Sequence, residues 1–264
     1  MTTEGVERGS AAASIGSDPS WNGLYRTGAV SAGLAVLMYV AALVIFIVTT
    51  APPTTGGAAM LEYVDAHRTV YIVRQVLWLA PSLPLMVVFL ALAIALHHLG
   101  KSFASIVGVV GVVSWALSFA WPTTGEGSLA MVRLSEEYAD ATTDAGRATF
   151  VAGAELLIAL VDAQAAIGVL QTLSILLISV LMLRGVFARS LAWLGVATGA
   201  IGIVSEALRP LLGAAYAIYG VLIMVWLIWL AWALWKLGAT SSRVRATRGA
   251  QGDRQAMRDS GREE

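Results

Sequence analysis

Residues 153–184 read GAELLIALVDAQAAIGVLQTLSILLISVLMLR, an apolar run that carries four strongly polar side chains: Glu155, Asp162, Gln164 and Gln171. A helix rises about 1.5 Å per residue and the hydrocarbon of a membrane is about 30 Å thick, so the run is long enough to cross it. Polar and charged groups inside hydrocarbon are costly and frequently functional. The stretch therefore predicts a transmembrane helix that carries a polar site.

The composition of the whole chain agrees with a membrane protein. Hydrophobic residues make up 58% of the 264 residues and charged residues 13%, a balance that does not suit a soluble surface. The formal net charge is zero, and no basic patch falls in a folded segment, so we expect no nucleic-acid partner. The absence of cysteine excludes disulfides, thiolate metal sites and cysteine nucleophiles. No known catalytic or cofactor-binding motif occurs, so we expect no catalytic residue, cofactor or metal.

Hydropathy predicts an all-α polytopic bundle of six transmembrane helices in residues 23–237, between disordered tails at 1–22 and 238–264. The predicted spans are residues 28–50, 70–96, 102–121, 156–183, 190–208 and 213–235. Pro81 and Pro84 predict a kink in the second span. Gly195 and Gly199 in the fifth span have the spacing that allows close helix packing. The outer connection before the fourth span is acidic, and residues 129–139 in it have weak helical character.

The positions of lysine and arginine predict the orientation of the bundle. Cations near span ends concentrate on the cytoplasmic side. One side carries Arg8, Arg26, Lys101, Arg184, Arg189, Lys236, Arg243, Arg245, Arg248, Arg254, Arg258 and Arg262, and the other carries Arg68, Arg74, Arg133, Arg147 and Arg209. Both termini are therefore predicted in the cytoplasm of a multi-pass plasma-membrane protein. The arginines of the C-terminal tail could attract anionic lipid, and the sequence leaves the oligomeric state open.

Counting residues from the inner ends of the spans predicts the depth of each polar group. Asp162 lies about 33 Å from Arg184, Glu155 about 10 Å further out, and Gln171 about 20 Å from Arg184. Glu206 lies about 25 Å from Arg189 and can pair with Arg209, three residues on. We therefore predict an outer cluster of Arg74, Glu155, Asp162, Glu206 and Arg209, with Gln164 and Gln171 on another face of a centrally placed fourth span.

A weak internal repeat is visible at an offset of 88 residues. Lys101-Ser-Phe-Ala opens the third span and Arg189-Ser-Leu-Ala opens the fifth, and Gly111 then falls on Gly199. The same offset places Arg74 on Asp162. The second and third spans are thereby predicted to be a parallel repeat of the fourth and fifth.

The layout resembles a known family of bacterial membrane proteins. The features that carry the resemblance are the six spans, the long outer loop, Asp162-Ala-Gln, Ile167-Gly168, and the segment from Arg189 to Gly195 that reads RSLAWLG. These features are similar to those of the uncharacterised family catalogued as domain of unknown function 4386, over about residues 23–237. The resemblance implies a six-helix bundle and assigns no site residues.

Three interpretations of the polar residues follow. In the first, the protein binds or moves a small solute or ion through an outward-facing polar cavity lined by the outer cluster. In the second, the protein has a structural, assembly or sensory role, and its charges only hold helices together. The third, an intramembrane enzyme that uses Glu155 and Asp162 as acid and base, is the least favoured because neither a nucleophile nor a metal set accompanies them.

Overall fold

The computed structural model describes residues 19–121, 123–125 and 127–260, and it leaves out the side chains of residues 19, 162, 163, 210, 214 and 240–260. The helices are α1 (Asn22–Val48), α2 (Gly57–Ala66), α3 (Arg68–Leu79), α4 (Ser82–Leu96), α5 (Lys101–Ala120), α6 (Ala130–Asp140), α7 (Asp144–Ala163), α8 (Ala165–Met182), α9 (Arg189–Ala207), α10 (Arg209–Leu212) and α11 (Ala217–Ser260). A two-stranded antiparallel hairpin, β1 (Thr123–Thr124) and β2 (Gly127–Ser128), separates α5 from α6.

Six segments of the described chain are long and apolar enough to cross a membrane, as the sequence predicts. They are α1, α3 with α4, α5, α7 with α8, α9, and the first part of α11. The packing order forms a ring, in which α1 contacts α4, α4 contacts α5, α5 contacts α8, α8 contacts α9, α9 contacts α11, and α11 returns to α1. The chain is therefore an all-α polytopic helical bundle.

The second span, and not the fourth, is the most buried helix of this bundle. In its most apolar window 67% of the residues are buried, compared with 44% in the fourth span. The second span is interrupted between α3 and α4 at residues 80–81, next to Pro81, and the kink itself stays a prediction. The prediction of a central fourth span was based on its polar side chains, of which Glu155 is exposed and accepts a hydrogen bond from Gly57 of α2.

A small helical cap lies at the end of the bundle that the sequence predicts to face outside, which we call the outer end. The fourth span begins at Asp144 and covers 39 residues, about 58 Å of helix, which is nearly twice the hydrocarbon thickness. The extra turns of α7 pack against α2 and α6. Their shared apolar core contains Met60, Leu61, Val64, Tyr71, Met131 and Ala154. The prediction of a weak helix at residues 129–139 is confirmed by α6, whereas α2 forms in the connection between the first two predicted spans, where the sequence predicts no helix.

Helix α11 extends well beyond its apolar part. Its apolar part ends at Ala239, and the helical backbone continues to Ser260. The sequence instead predicts a disordered tail from residue 238. Residues 1–18 and 261–264 of the predicted tails lie outside the described residues.

Helices α8 and α9 pack through an antiparallel ladder of small residues. Going outward, Gly195 faces Ser179, Gly199 faces Leu176 and Gly202 faces Thr172. A Cβ atom added to Gly199 would lie 2.5 Å from the backbone nitrogen of Leu176. Such close approach is what small residues allow in membrane helices. The predicted close packing at Gly195 and Gly199 is therefore confirmed, and it fixes the register of the two helices.

The predicted repeat has matching landmarks in the structure. Lys101 and Arg189 are the first residues of α5 and α9. Gly111 packs on Phe89 of α4, and Gly199 packs on Leu176 of α8. Both pairs of helices thus meet through glycines at equivalent heights, while the symmetry itself stays a prediction.

Candidate functional site

The outermost contact of the α8–α9 ladder is a buried carboxylate. Glu206, the penultimate residue of α9, is only 3% exposed. Its Oε2 atom accepts a hydrogen bond from Nη2 of Arg209 at 2.7 Å. The predicted local pair of Glu206 and Arg209 is therefore present. This pair lies where α9 ends and the short helix α10 begins.

Tyr216 completes a three-residue network with this pair. Its hydroxyl donates to Oε1 of Glu206 at 2.6 Å and accepts from Nη2 of Arg209 at 3.0 Å. Burial raises the pKa of Tyr216 above its usual value, Glu206 raises it further, and Arg209 opposes the rise. Tyr216 therefore stays protonated at neutral pH and can donate its proton to Glu206.

The guanidinium of Arg209 stays charged in this environment. Burial tends to lower the pKa of Arg209, but the neighbouring Tyr216 and Glu206 outweigh burial, so the pKa is raised. The guanidinium carbon also lies 5.1 Å from the centre of the Tyr216 ring, a cation–π contact. The network is thus a closely coupled carboxylate, guanidinium and phenol at one end of the bundle, where α9 ends.

Gly168 of α8 makes room for the carboxylate. A Cβ atom at this position would lie 2.4 Å from Oε2 of Glu206 and 2.5 Å from its carboxyl carbon. At the other three contacts of the ladder the glycine lies on α9, but at this contact it lies on α8. Because Gly168 has no side chain, Glu206 of α9 can extend across the face of α8. The same ladder therefore holds the helices together and positions the site.

The two predicted amides, Gln164 and Gln171, lie on either side of the Glu206 carboxylate along α8. Gln164, Gly168 and Gln171 have the spacing i, i+4, i+7, which places them on one face of the helix. Oε1 of Gln164 and Nε2 of Gln171 are buried and have no hydrogen-bond partner among the described residues. One amide lies a turn above Glu206 and the other a turn below it. Together they form a polar track about 10 Å long.

The β1–β2 hairpin covers the site from outside. Tyr71 of α3 donates to the carbonyl of Ser128 at 2.9 Å, and Thr124 donates to Oε1 of Gln75 at 2.9 Å. On the other side of the hairpin, a Cβ atom added to Gly125 would lie 3.6 Å from Nη1 of Arg209. The hairpin therefore joins the second span to the Glu206 network.

Arg74 and Glu155 bind groups at the ends of other helices, whereas Glu206 and Arg209 bind each other. Nη1 of Arg74 donates to Oγ1 of Thr49 at 2.9 Å and to the carbonyl of Thr50 at 3.0 Å, at the C-terminal end of α1. Glu155 accepts from the first backbone N–H of α2, that of Gly57, at 2.6 Å. Both are favourable interactions of a charge with a helix end. Glu155 thus ties α7 to α2, which corrects its predicted place in one cluster with Glu206.

The side chain of Asp162 lies outside the described residues, so its predicted role stays a prediction. Three contributors to the site are missing from the predicted set: Tyr216, Gly168 and Gln75. Pro210 and the positive-φ Gly213 are turn signals in the sequence. They could have indicated that the chain folds back after Arg209 and brings Tyr216 to Glu206.

Among the residues that the structure describes, no group of three or more His, Asp or Glu side chains is placed to hold a metal ion. Two surface depressions lie away from the site, one on α11 at Trp229 and Trp232 and one between α4 and α5 at Gly108. Their walls are almost wholly apolar, which suits contact with lipid.

Comparisons with known proteins found no matching family model, no matching curated protein and no matching solved structure.

Proposed function

We propose that this membrane protein binds a small polar solute or ion at an outward-facing site formed by Glu206, Arg209 and Tyr216. The observation that carries the proposal is the buried network beside amide groups of Gln164 and Gln171 that have no partner among the described residues. Buried polar groups are ordinarily paired, and buried intramembrane charges are ordinarily functional. A bound solute would supply the missing partners.

The position of the network favours entry from outside. Glu206 lies near the outer end of its helix, and the covering hairpin is a short turn rather than a packed helix. Gln171 lies deeper on α8 and places a second polar group behind Glu206. This arrangement supports binding at the outer end of the α8–α9 contact.

The proposal is tested by Glu206→Gln in the purified protein. Small carboxylates, amines, amides and monovalent ions are screened for an increase in the melting temperature of the protein. We expect at least one of them to stabilise the parent protein. Glu206→Gln should abolish that increase, because the amide lacks the charge that organises Arg209 and Tyr216. Glu137→Gln, which alters an exposed ion pair with Arg133 on α6, should leave it unchanged.

The same variants test the interpretation that the charges only hold helices together. For Arg74 and Glu155 this structural role is favoured, because both bind groups at helix ends. If no solute stabilises the parent, liposomes show no flux, and Glu206→Gln only lowers the melting temperature, the network is structural and the proposal fails.

We infer that the bundle lies in the plasma membrane of a bacterium, with both termini in the cytoplasm, and that it belongs with the family that its layout resembles. The asymmetry of arginine and lysine supports this orientation. A fluorescent protein that folds only in the cytoplasm should be fluorescent when fused after residue 264. A periplasmic phosphatase should be active when inserted between Ala141 and Asp144, and the reverse pattern would overturn the orientation.

A further inference from the structure

A groove with a volume of about 350 Å³ runs along the contact between α4 and α5 on the surface of the bundle. The two helices touch at its floor, where a Cβ atom added to Gly108 would lie 2.4 Å from the Cβ atom of Ala93. The larger side chains of Leu90, Val109 and Val113 line the groove and are exposed. Small residues at the floor and larger residues at the rims therefore form an apolar trough between two membrane-spanning helices.

The polar residues that line the groove, His97 and Ser105, both lie at one end of it. On α4 the groove extends from Leu90 to His97, seven residues later, and on α5 it begins at Ser105. Lys101 precedes Ser105 by four residues, so it lies on the same face of α5, one turn beyond the groove. Lys101 is exposed and His97 is half-buried. The trough thus carries a cation and a histidine at the end opposite the cap, which we call the inner end.

The connection that precedes α9 adds positive charge at this end. A Cβ atom added to Gly185 would lie 2.7 Å from Cδ2 of Leu96, so this connection lies against the end of α4. The neighbouring Arg184 is exposed. Neither residues 97–100 nor residues 183–188 include Asp or Glu. An anion at the inner end of the groove is therefore attracted and meets no carboxylate on either connection.

We propose that this groove binds an anionic phospholipid, with one acyl chain along the trough and the phosphate at Lys101 and His97. Phosphate oxygens accept hydrogen bonds, which the lysine ammonium and the imidazole N–H can donate. The sequence predicts that the inner end faces the cytoplasm, where the leaflet is negatively charged and basic pockets between helices bind anionic headgroups. The groove lies away from the Glu206 network, so lipid binding is independent of the proposed function.

A second copy of the chain fits this groove less well than an acyl chain does. Helices associate closely in membranes where small residues let their backbones approach. Here the small residues Gly108 and Ala93 are already in contact with each other, and larger exposed side chains border them. These rims hold another helix at a distance, whereas a flexible hydrocarbon chain can follow the trough.

The test is lipid binding to the purified full-length protein in detergent, counted by native mass spectrometry. The probes are phosphatidylglycerol, which is anionic, and phosphatidylcholine with the same acyl chains, which has no net charge. We expect phosphatidylglycerol to bind about fivefold more tightly or better, the effect of one cation beside an anionic headgroup. Equal binding of the two lipids would overturn the assignment of an anionic headgroup.

Lys101→Gln tests the position of the headgroup and should weaken phosphatidylglycerol binding about fivefold. Arg189→Gln is the matched control, because Arg189 is the exposed first residue of α9 as Lys101 is the exposed first residue of α5. The control removes one cation from the same end of the bundle but from a helix that does not line the groove. It should bind the lipid as the parent does, and equal losses in the two variants would mean that the attraction is diffuse and the site is wrong.

Ser105→Phe tests the position of the acyl chain, because the ring would occupy the inner part of the groove. Ile106→Phe is its control, since Ile106 is also exposed but lies about 100° around the helix and does not line the groove. Both positions are exposed, so we expect neither variant to change the melting temperature of the lipid-free protein. Ser105→Phe should weaken phosphatidylglycerol binding at least about fivefold, and Ile106→Phe should not.

Two results with these variants would overturn the proposal. If Ser105→Phe binds phosphatidylglycerol as the parent does, the acyl chain lies elsewhere. If the parent is a dimer in detergent and Ser105→Phe alone makes it a monomer, the groove holds a second copy of the chain instead of a lipid.

Discussion

Replacing Gly199 with alanine is expected to destabilise the bundle by about 2 kcal/mol or more, the range typical of overpacking in a well-packed interior. The added Cβ would lie 2.5 Å from the backbone nitrogen of Leu176 and 2.7 Å from its Cα. Backbone atoms cannot rotate away as a side chain can, so α8 and α9 must separate. The same separation would withdraw Glu206 from Gly168, and ligand binding at the site should weaken in parallel.

The measurement is the free energy of unfolding in mixed detergent micelles, followed by tryptophan fluorescence. Gly220→Ala is the matched control, because it places the same methyl group on α11 where no other atom lies within 4 Å. Alanine favours a helix over glycine, so this control should be neutral or slightly stabilising. Equal stabilities of the two variants would show that the α8–α9 ladder is not a tight contact.

The six spans and the close packing at Gly195 and Gly199 could be predicted because their signals are local. A long apolar run needs no partner to be recognised, and Gly195 and Gly199 lie four residues apart on one helix face. The pair of Glu206 and Arg209 is local in the same sense, since three residues separate them. Local periodicity therefore gives the architecture and the centre of the site.

The outer cap could not be predicted because its contacts are distant in the sequence. Met60 and Leu61 of α2 are buried against Met131 of α6 and Ala154 of α7. A ten-residue helix such as α2 is marginal alone and is stabilised by such packing. The partner of Glu155 could not be predicted for the same reason. Its depth placed it in the predicted outer cluster, but its carboxylate accepts from the N–H of Gly57, 98 residues away in the sequence.

The remaining parts of the site depend on where irregular segments fold back. Tyr216 reaches Glu206 only because the chain turns at Gly213, which has a φ of 48°. Gln75 matters only because a hairpin of two-residue strands is held against α3. Short turns with few apolar residues carry little periodicity, so the sequence gives no register for them.

Arg209→Met is expected to destabilise the protein by about 3–5 kcal/mol, because it leaves the charge of Glu206 buried without its cation. Met has a similar length and keeps the apolar packing of the arginine stem. Tyr216 can still donate to Oε1 of Glu206, but one hydrogen bond from an uncharged phenol does not replace the lost cation. Unfolding in mixed micelles again measures the effect.

Combining Arg209→Met with Glu206→Gln separates the pair from its surroundings. The double variant has no buried charge, so we expect it to be about 2 kcal/mol more stable than the sum of the two single losses predicts. Arg133→Met, at the exposed ion pair with Glu137 on α6, should cost less than about 1 kcal/mol, as surface pairs do. Additive losses at Glu206 and Arg209 would mean that the carboxylate has no energetic dependence on the guanidinium. In that case Tyr216 would be its essential partner, and Tyr216→Phe would show the larger loss.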